Sequence, residues 1–130
     1  MASFKDYTTI CCSAPSEFLS KVALKHRERL LSRNLEIALS NLRQLEDLFA
    51  RHADKIAWHA PRAGCIAFPR LRRDHSSEAC CDRLRETNHV LLLPSTKYEF
   101  GDRHFRLGFG RKNMPEGLAA FDAFLENLDA

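Results

Sequence analysis

A chain of 130 residues, 45% hydrophobic and 28% charged, is long enough to bury one core and short for a complete cofactor-dependent enzyme. Nothing in the composition is collagen-like or disordered, and the longest strongly apolar run, VLLL at 90–93, is too short to span a membrane or form a signal-peptide core, so a soluble cytoplasmic protein is expected. The net charge of +3 comes from 20 basic and 17 acidic residues in mixed order, and basic pairs such as Arg72-Arg73 and Arg111-Lys112 do not make the one-sided footprint of a nucleic-acid binder.

Residues 1–12 carry β-branched side chains without a clear pattern and read as an extended arm. SAPSE opens a helix, with Ser13 as the capping hydroxyl, Pro15 in the first turn and Glu17 beside the positive end of the helix dipole. From there to Arg51 nearly every residue favours a helix. Leu31, Leu35, Ala38, Leu42, Leu45 and Phe49 form one stripe, which breaks at KHRER, 25–29, where one helix bends or two meet. The stretch from Arg27 to Arg51 would be roughly 37 Å long at 1.5 Å per residue, longer than the core of this chain requires. Such a helix connects one body to another.

KIAWH and GCIAFPRL flank the turn residues Pro61 and Gly64, the pattern of a hairpin with Trp58 and Phe68 as core side chains. SSEACCDRLRETN reads as a helix opening at Ser76 or Ser77, with Cys80, Cys81 and Leu84 inward. HVLLLP reads as a central strand apolar on both faces, ended by Pro94, and the loop STKYEFGD follows. The last helix opens at NMPE with Asn113 and Glu116 as a capping box, and buries Leu118, Phe121, Phe124, Leu125 and Leu128. The order predicts an α+β domain: a long N-terminal helix, then a small, mostly antiparallel sheet with helices on one face. Cysteines at 11, 12, 65, 80 and 81 give neither a disulfide framework nor a CxxC zinc spacing. The adjacent pairs allow a strained vicinal disulfide or a soft metal, while small buried side chains in a reducing compartment are the plainer expectation.

Between the loop and the last helix lies HFRLGFG. Phe105, Leu107 and Phe109 occupy alternate positions, so His104, Arg106, Gly108 and Gly110 take the other face. Gly108 marks a place where a backbone or ligand comes close. A guanidinium beside open space suits a carboxylate or phosphate through two parallel hydrogen bonds; the plainer alternative is an exposed strand arginine in a surface ion pair.

TTICCSAPSE, NLEIALSNLRQLEDLF, PRAGCIAFPRL, VLLLPSTKYEFG and HFRLGFG resemble, in that order, the carboxy-terminal part of a class I/II, fold-type I aminotransferase that uses pyridoxal 5'-phosphate. The resemblance covers about Thr8 to Leu128. It implies a small domain over 27–130, joined through an arm and short helix over 1–26 to a large cofactor-binding domain, in a parent that is commonly a homodimer acting on an amino acid and a 2-oxo acid. The family's strand arginine, followed by a small and an aromatic residue, grips the substrate's α-carboxylate and corresponds to Arg106. Tyr98 and Phe100, in a loop that borders the substrate pocket in relatives, are further candidate pocket residues. This loop departs from the family's Pro-Gly-Ser…Phe-Gly, having Ser95 at the glycine position and extra residues before Phe100-Gly101.

The resemblance also implies that the Schiff-base lysine, the aspartate for the pyridinium nitrogen and the phosphate cup belong to the large domain. None of Lys5, Lys21, Lys25, Lys55, Lys97 and Lys112 sits in the family's lysine motif. The expectation is a fragment that is inactive alone, with no cofactor bound to it and no catalytic or metal-ligating residue of its own. A stand-alone interaction or dimerisation module descended from such a domain is the alternative.

Overall fold

The computed structural model describes Phe4, Tyr7, Thr8, residues 13–72 and residues 75–128. The chain forms two compact units, Met1–Leu35 and Glu36–Ala130. Most of the arm expected over 1–12, with Cys11 and Cys12, lies outside the described residues; Phe4, Tyr7 and Thr8 within it are helical rather than extended.

In the first unit, α1 spans Ala14–Lys25. Ser13 occupies its N-cap position, but the hydroxyl makes no capping bond; Pro in the first turn and Glu17 supply what the expected cap does not. His26 ends α1, its N–H donating to the carbonyls of Val22 and Ala23, and α2 begins at Arg27. The break expected at 25–29 is thus a meeting of two helices. The helix α2 runs Arg27–Arg51. Its apolar stripe changes character along its length: Leu31 and Leu35 are exposed, whereas Leu45, Leu48 and Phe49 are buried.

The second unit holds the sheets. Strand β1 (Ile56–Ala57) pairs antiparallel with β3 (Arg70–Leu71), Ile56 opposite Leu71. Strand β2 (Ile66–Ala67) instead pairs with β5 (Phe105–Gly108), and β4 (Leu93–Pro94) takes the other side of β5. The predicted hairpin is therefore split. Pro69 has no N–H to give a ladder, so GCIAFPRL divides there into two short strands serving different sheets. The central strand is also β5, not HVLLLP: in the order β2-β5-β4 the latter is an edge. Val90, Leu92 and Pro94 of that run turn inward, while Leu91 and Leu93 are exposed, the one-sided pattern of an antiparallel edge.

Helix α3 (Ser77–Asn88) opens with the Ser76 hydroxyl accepting from the Ala79 N–H at 3.1 Å. Helix α4 spans Met114–Glu126; Asn113 stands at its N-cap without a side-chain capping bond, so the expected capping box is not made. The core gathers Cys81 and Leu84 of α3, Leu118, Phe121, Phe124 and Leu125 of α4, and Phe105, Leu107 and Phe109 from β5 and its continuation. Phe105 meets Phe121 edge-on at 5.9 Å. Trp58 packs edge-on against Phe49 at 4.8 Å, part-buried as expected. The result is the predicted α+β architecture with helices on one sheet face. Among the described residues, no helix is long and apolar enough to cross a membrane.

Candidate functional site

Strand β5 keeps the alternation read from its sequence: Phe105 and Leu107 are buried, Arg106 and Gly108 exposed. Because Phe105 and Leu107 lock into the core and both neighbouring strands hold the backbone, the guanidinium of Arg106 extends from a fixed base. Its Nη1–H donates to the phenol oxygen of Tyr98 at 3.3 Å. Among the described residues it pairs with no carboxylate, so the surface ion pair considered as its alternative role is not formed.

An apolar hollow of about 390 Å³ adjoins this arginine, lined by Ile66, Phe68, Tyr98, Phe100 and Arg106 itself. Phe68, expected in the core, is 41% exposed and belongs here. The reason is period two: Ala67, Pro69 and Leu71 face inward, which turns Ile66 and Phe68 out. Phe68 meets Tyr98 edge-on at 6.2 Å, packs against Phe100 at 5.7 Å and stacks on the His104 ring at 5.1 Å. Burial, and then the nearby charge of Arg70, hold the His104 imidazole below its ordinary pKa, so it adds a mostly neutral ring to this wall at pH 7. Tyr98 and Phe100 both line the hollow; the sequence reading placed His104 on the face of Arg106 but missed Ile66 and put Phe68 in the core, although alternation about Ala67 could have indicated both.

The loop that carries Tyr98 and Phe100 is closed at its base. Ser95 is fully buried; its hydroxyl donates to the Gly101 carbonyl at 2.8 Å and accepts from the His104 N–H at 3.1 Å, while its own N–H donates to the His104 carbonyl. A 3₁₀ turn over Ser95–Tyr98 then reverses through Glu99 and Gly101, both at positive φ (55° and 61°). Serine at the position where the family commonly has glycine thus has a structural task. Asp102 completes the support, its carboxylate accepting from the Ser77 hydroxyl and the Glu78 N–H at the start of α3. Hydrogen bonds, that of Ser76 foremost, hold its carboxyl below the usual carboxylate range.

A second unforeseen residue is Asn41 of α2. It is buried, and its amide donates to the carbonyls of Phe109 and Arg111, both at 2.8 Å, fixing the chain where it leaves β5. A polar residue among the stripe positions Ala38, Leu42 and Leu45 was the available signal. The close approach expected at Gly108 falls two residues later: a Cβ at Gly108 would meet only the Cys65 carbonyl at 4.0 Å, whereas one at Gly110 would lie 3.1 Å from the Cys65 Cβ.

On its other side Arg106 borders an open groove of about 800 Å³, which also includes His89, Arg111, Asn113 and Glu116. Among the described residues, neither hollow is lined by a lysine or an aspartate. Lys97 pairs with Glu78 at 2.8 Å, and Lys55 donates to the Leu125 carbonyl. The arrangement can hold a small anion by its charged end beside an apolar wall.

No protein-family model matches the chain. It is 31% identical over 122 residues to capreomycidine synthase of Streptomyces vinaceus, covering 92% of this chain and 31% of that protein. A PLP-dependent aminotransferase from Streptococcus suis superposes with a TM-score of 0.87 at 27% identity, over 99% of this chain and 34% of the other. The PLP-dependent cyclase OrfR superposes with a TM-score of 0.85, also at 27% identity, over 97% of this chain and 35% of the other. The chain spans about a third of the length of each of these relatives.

Proposed function

We propose that this chain, which resembles the carboxy-terminal small domain of a class I/II, fold-type I PLP-dependent aminotransferase, serves as the substrate-gripping part of such an enzyme, with Arg106 binding the α-carboxylate of an amino acid or 2-oxo acid. One observation carries the reading: a guanidinium without a carboxylate partner among the described residues, set on the open face of the central strand beside an apolar hollow. A carboxylate accepts two parallel hydrogen bonds from such a fork, and a fixed carboxylate orients the bonds at Cα. A transaminase must accept varied side chains while holding the one group that every amino acid carries, and a clamp built on β5 meets that need.

Pyridoxal phosphate, when bound, supplies an electron sink for the reacting Cα. Among the described residues no lysine or aspartate lines the hollows beside Arg106, so in this reading the groups that engage the cofactor's aldehyde and ring nitrogen belong to the large domain. The parent in this reading is a cytoplasmic homodimer, with a large domain as the partner of this chain and with no nucleic acid or membrane involved. Cyclisation is a second reading, favoured by the likeness to capreomycidine synthase and to the cyclase OrfR; the same carboxylate grip serves it.

The test is Arg106→Ala in the full-length parent. Losing a charged, hydrogen-bonded pair should lower kcat/KM by about 2–4 kcal/mol, roughly 30- to 900-fold, with Arg106→Lys falling between. Turnover unaffected by Arg106→Ala refutes the assignment. Product analysis separates the two reactions: transamination requires a 2-oxo acid acceptor, and cyclisation proceeds without one.

A further inference from the structure

We infer that Tyr98 is a positioning residue for Arg106, holding one amino group of the guanidinium so that its remaining donors face a carboxylate. The inference deepens the proposed role of Arg106 and rests on it for its functional meaning. An exposed arginine on a strand ordinarily samples several rotamers, and ordering it against a ligand costs entropy. Arg106 is instead tethered at Nη1 by the phenol oxygen of Tyr98 at 3.3 Å. That uses one of five N–H donors. The edge formed by Nε and Nη2 keeps its full set, and this edge presents two parallel bonds to a carboxylate.

The tether is itself held in place. The ring of Tyr98 sits edge-on against Phe68, which is stacked on His104, two residues from Arg106 on the same strand face. The turn that delivers Tyr98 is closed by Ser95, whose hydroxyl accepts from the backbone N–H of that same His104. Tyr98 is therefore tied by two routes, through the aromatic stack and through the Ser95 bond, to His104, the residue directly before β5 and two before Arg106. A phenol on a freely moving loop would give no such fixed reference.

The probe is the 130-residue chain labelled with ¹⁵N, read at the Arg106 Nε–H and titrated with pyruvate, the smallest 2-oxo acid with an apolar side chain. In Tyr98→Phe, which keeps the ring packing and removes only the oxygen, the Nε–H order parameter is expected to fall into the flexible range below about 0.6. Pyruvate affinity measured at that resonance is expected to weaken about three- to tenfold, the effect of losing one exposed hydrogen bond. An order parameter unchanged in Tyr98→Phe overturns the positioning role whatever pyruvate does. A normal drop in order, with pyruvate leaving the resonance of the unmodified chain unmoved, supports positioning and counts against the carboxylate reading instead. Equal pyruvate affinity in the two proteins overturns the functional consequence claimed for the tether.

Discussion

Replacing Asn41 by alanine should destabilise the chain by about 2–4 kcal/mol. The side chain is buried, and its amide donates to two backbone carbonyls, those of Phe109 and Arg111. The Arg111 carbonyl also accepts from the Met114 N–H at 3.3 Å, so it keeps one long bond, and its loss is about 0.5–1.5 kcal/mol. Among the described residues the Phe109 carbonyl has Asn41 as its one partner outside regular pairing, and orphaning a buried acceptor costs roughly 1–3 kcal/mol. For a unit of this size each kcal/mol moves the melting temperature by about 4–8 °C, so a drop of about 8–32 °C is expected by circular dichroism, with the urea midpoint moving in step at constant slope. Asn41→Asp should be at least as damaging, because a carboxylate of similar shape sets acceptors against acceptors. A loss below about 0.5 kcal/mol in both variants would show that solvent reaches these carbonyls and that Asn41 does not hold the exit of β5.

Further outcomes concern charge, thiols and the cofactor. Because hydrogen bonds depress the Asp102 carboxyl, its stabilisation is complete above its unfolded pKa near 3.9 and is lost as pH falls through and below that value. Asp102→Asn should therefore flatten the acid limb of a stability-versus-pH curve and leave the neutral slope alone; an unaltered acid limb refutes the claim. The Cys81 thiol, which burial foremost pushes up to about 12, should resist a thiol reagent at pH 8 until the chain unfolds, while exposed Cys65 reacts at once; peptide mapping after timed quenching decides. Incubating the chain with pyridoxal phosphate and then borohydride should leave no stoichiometric pyridoxyl adduct on any single lysine, and a specific adduct found by mass spectrometry would defeat the fragment reading. The apolar side chains exposed on α1 and α2, Phe18, Leu19, Leu24, Leu31 and Leu35, predict concentration-dependent association in sedimentation if the chain acts alone as an interaction module; a strict monomer at high concentration argues against that role.

What could be read from the sequence was what periodicity controls. The stripe Ala38, Leu42, Leu45 and Phe49 and the alternation about Arg106 place side chains by local geometry, and α2 and β5 follow them. Strand pairing is not local, and there the reading failed: nothing in GCIAFPRL by itself says that Ile66-Ala67 pairs with β5 while Arg70-Leu71 pairs with β1. HVLLLP looked central because it is uniformly apolar, yet Leu91 and Leu93 are turned out on an edge strand. Capping was half legible. Ser13 and Asn113 mark helix starts correctly by position, but only Ser76 completes its side-chain bond. Of the candidate site, Arg106, Tyr98 and Phe100 do come together, with His104 beside Phe100, whereas Phe68 joins them through contacts that span 30 residues or more of chain.

The closed base of the loop between Ser95 and His104 bears on how this protein tolerates changes in length. A one-residue slip of β5 would turn Arg106 inward and Phe105 and Leu107 outward, losing the exposed guanidinium and the core together, since every side chain of a strand then changes face. Residues added between Ser95 and His104 meet a different fate. The reciprocal backbone bonds of β4 with β5, closed off by the Ser95 hydroxyl, keep the two ends of the loop in register regardless of what lies between them. The extra residues before Phe100-Gly101 fall inside that bracket. This one segment can thus lengthen or shorten while Arg106 keeps its place.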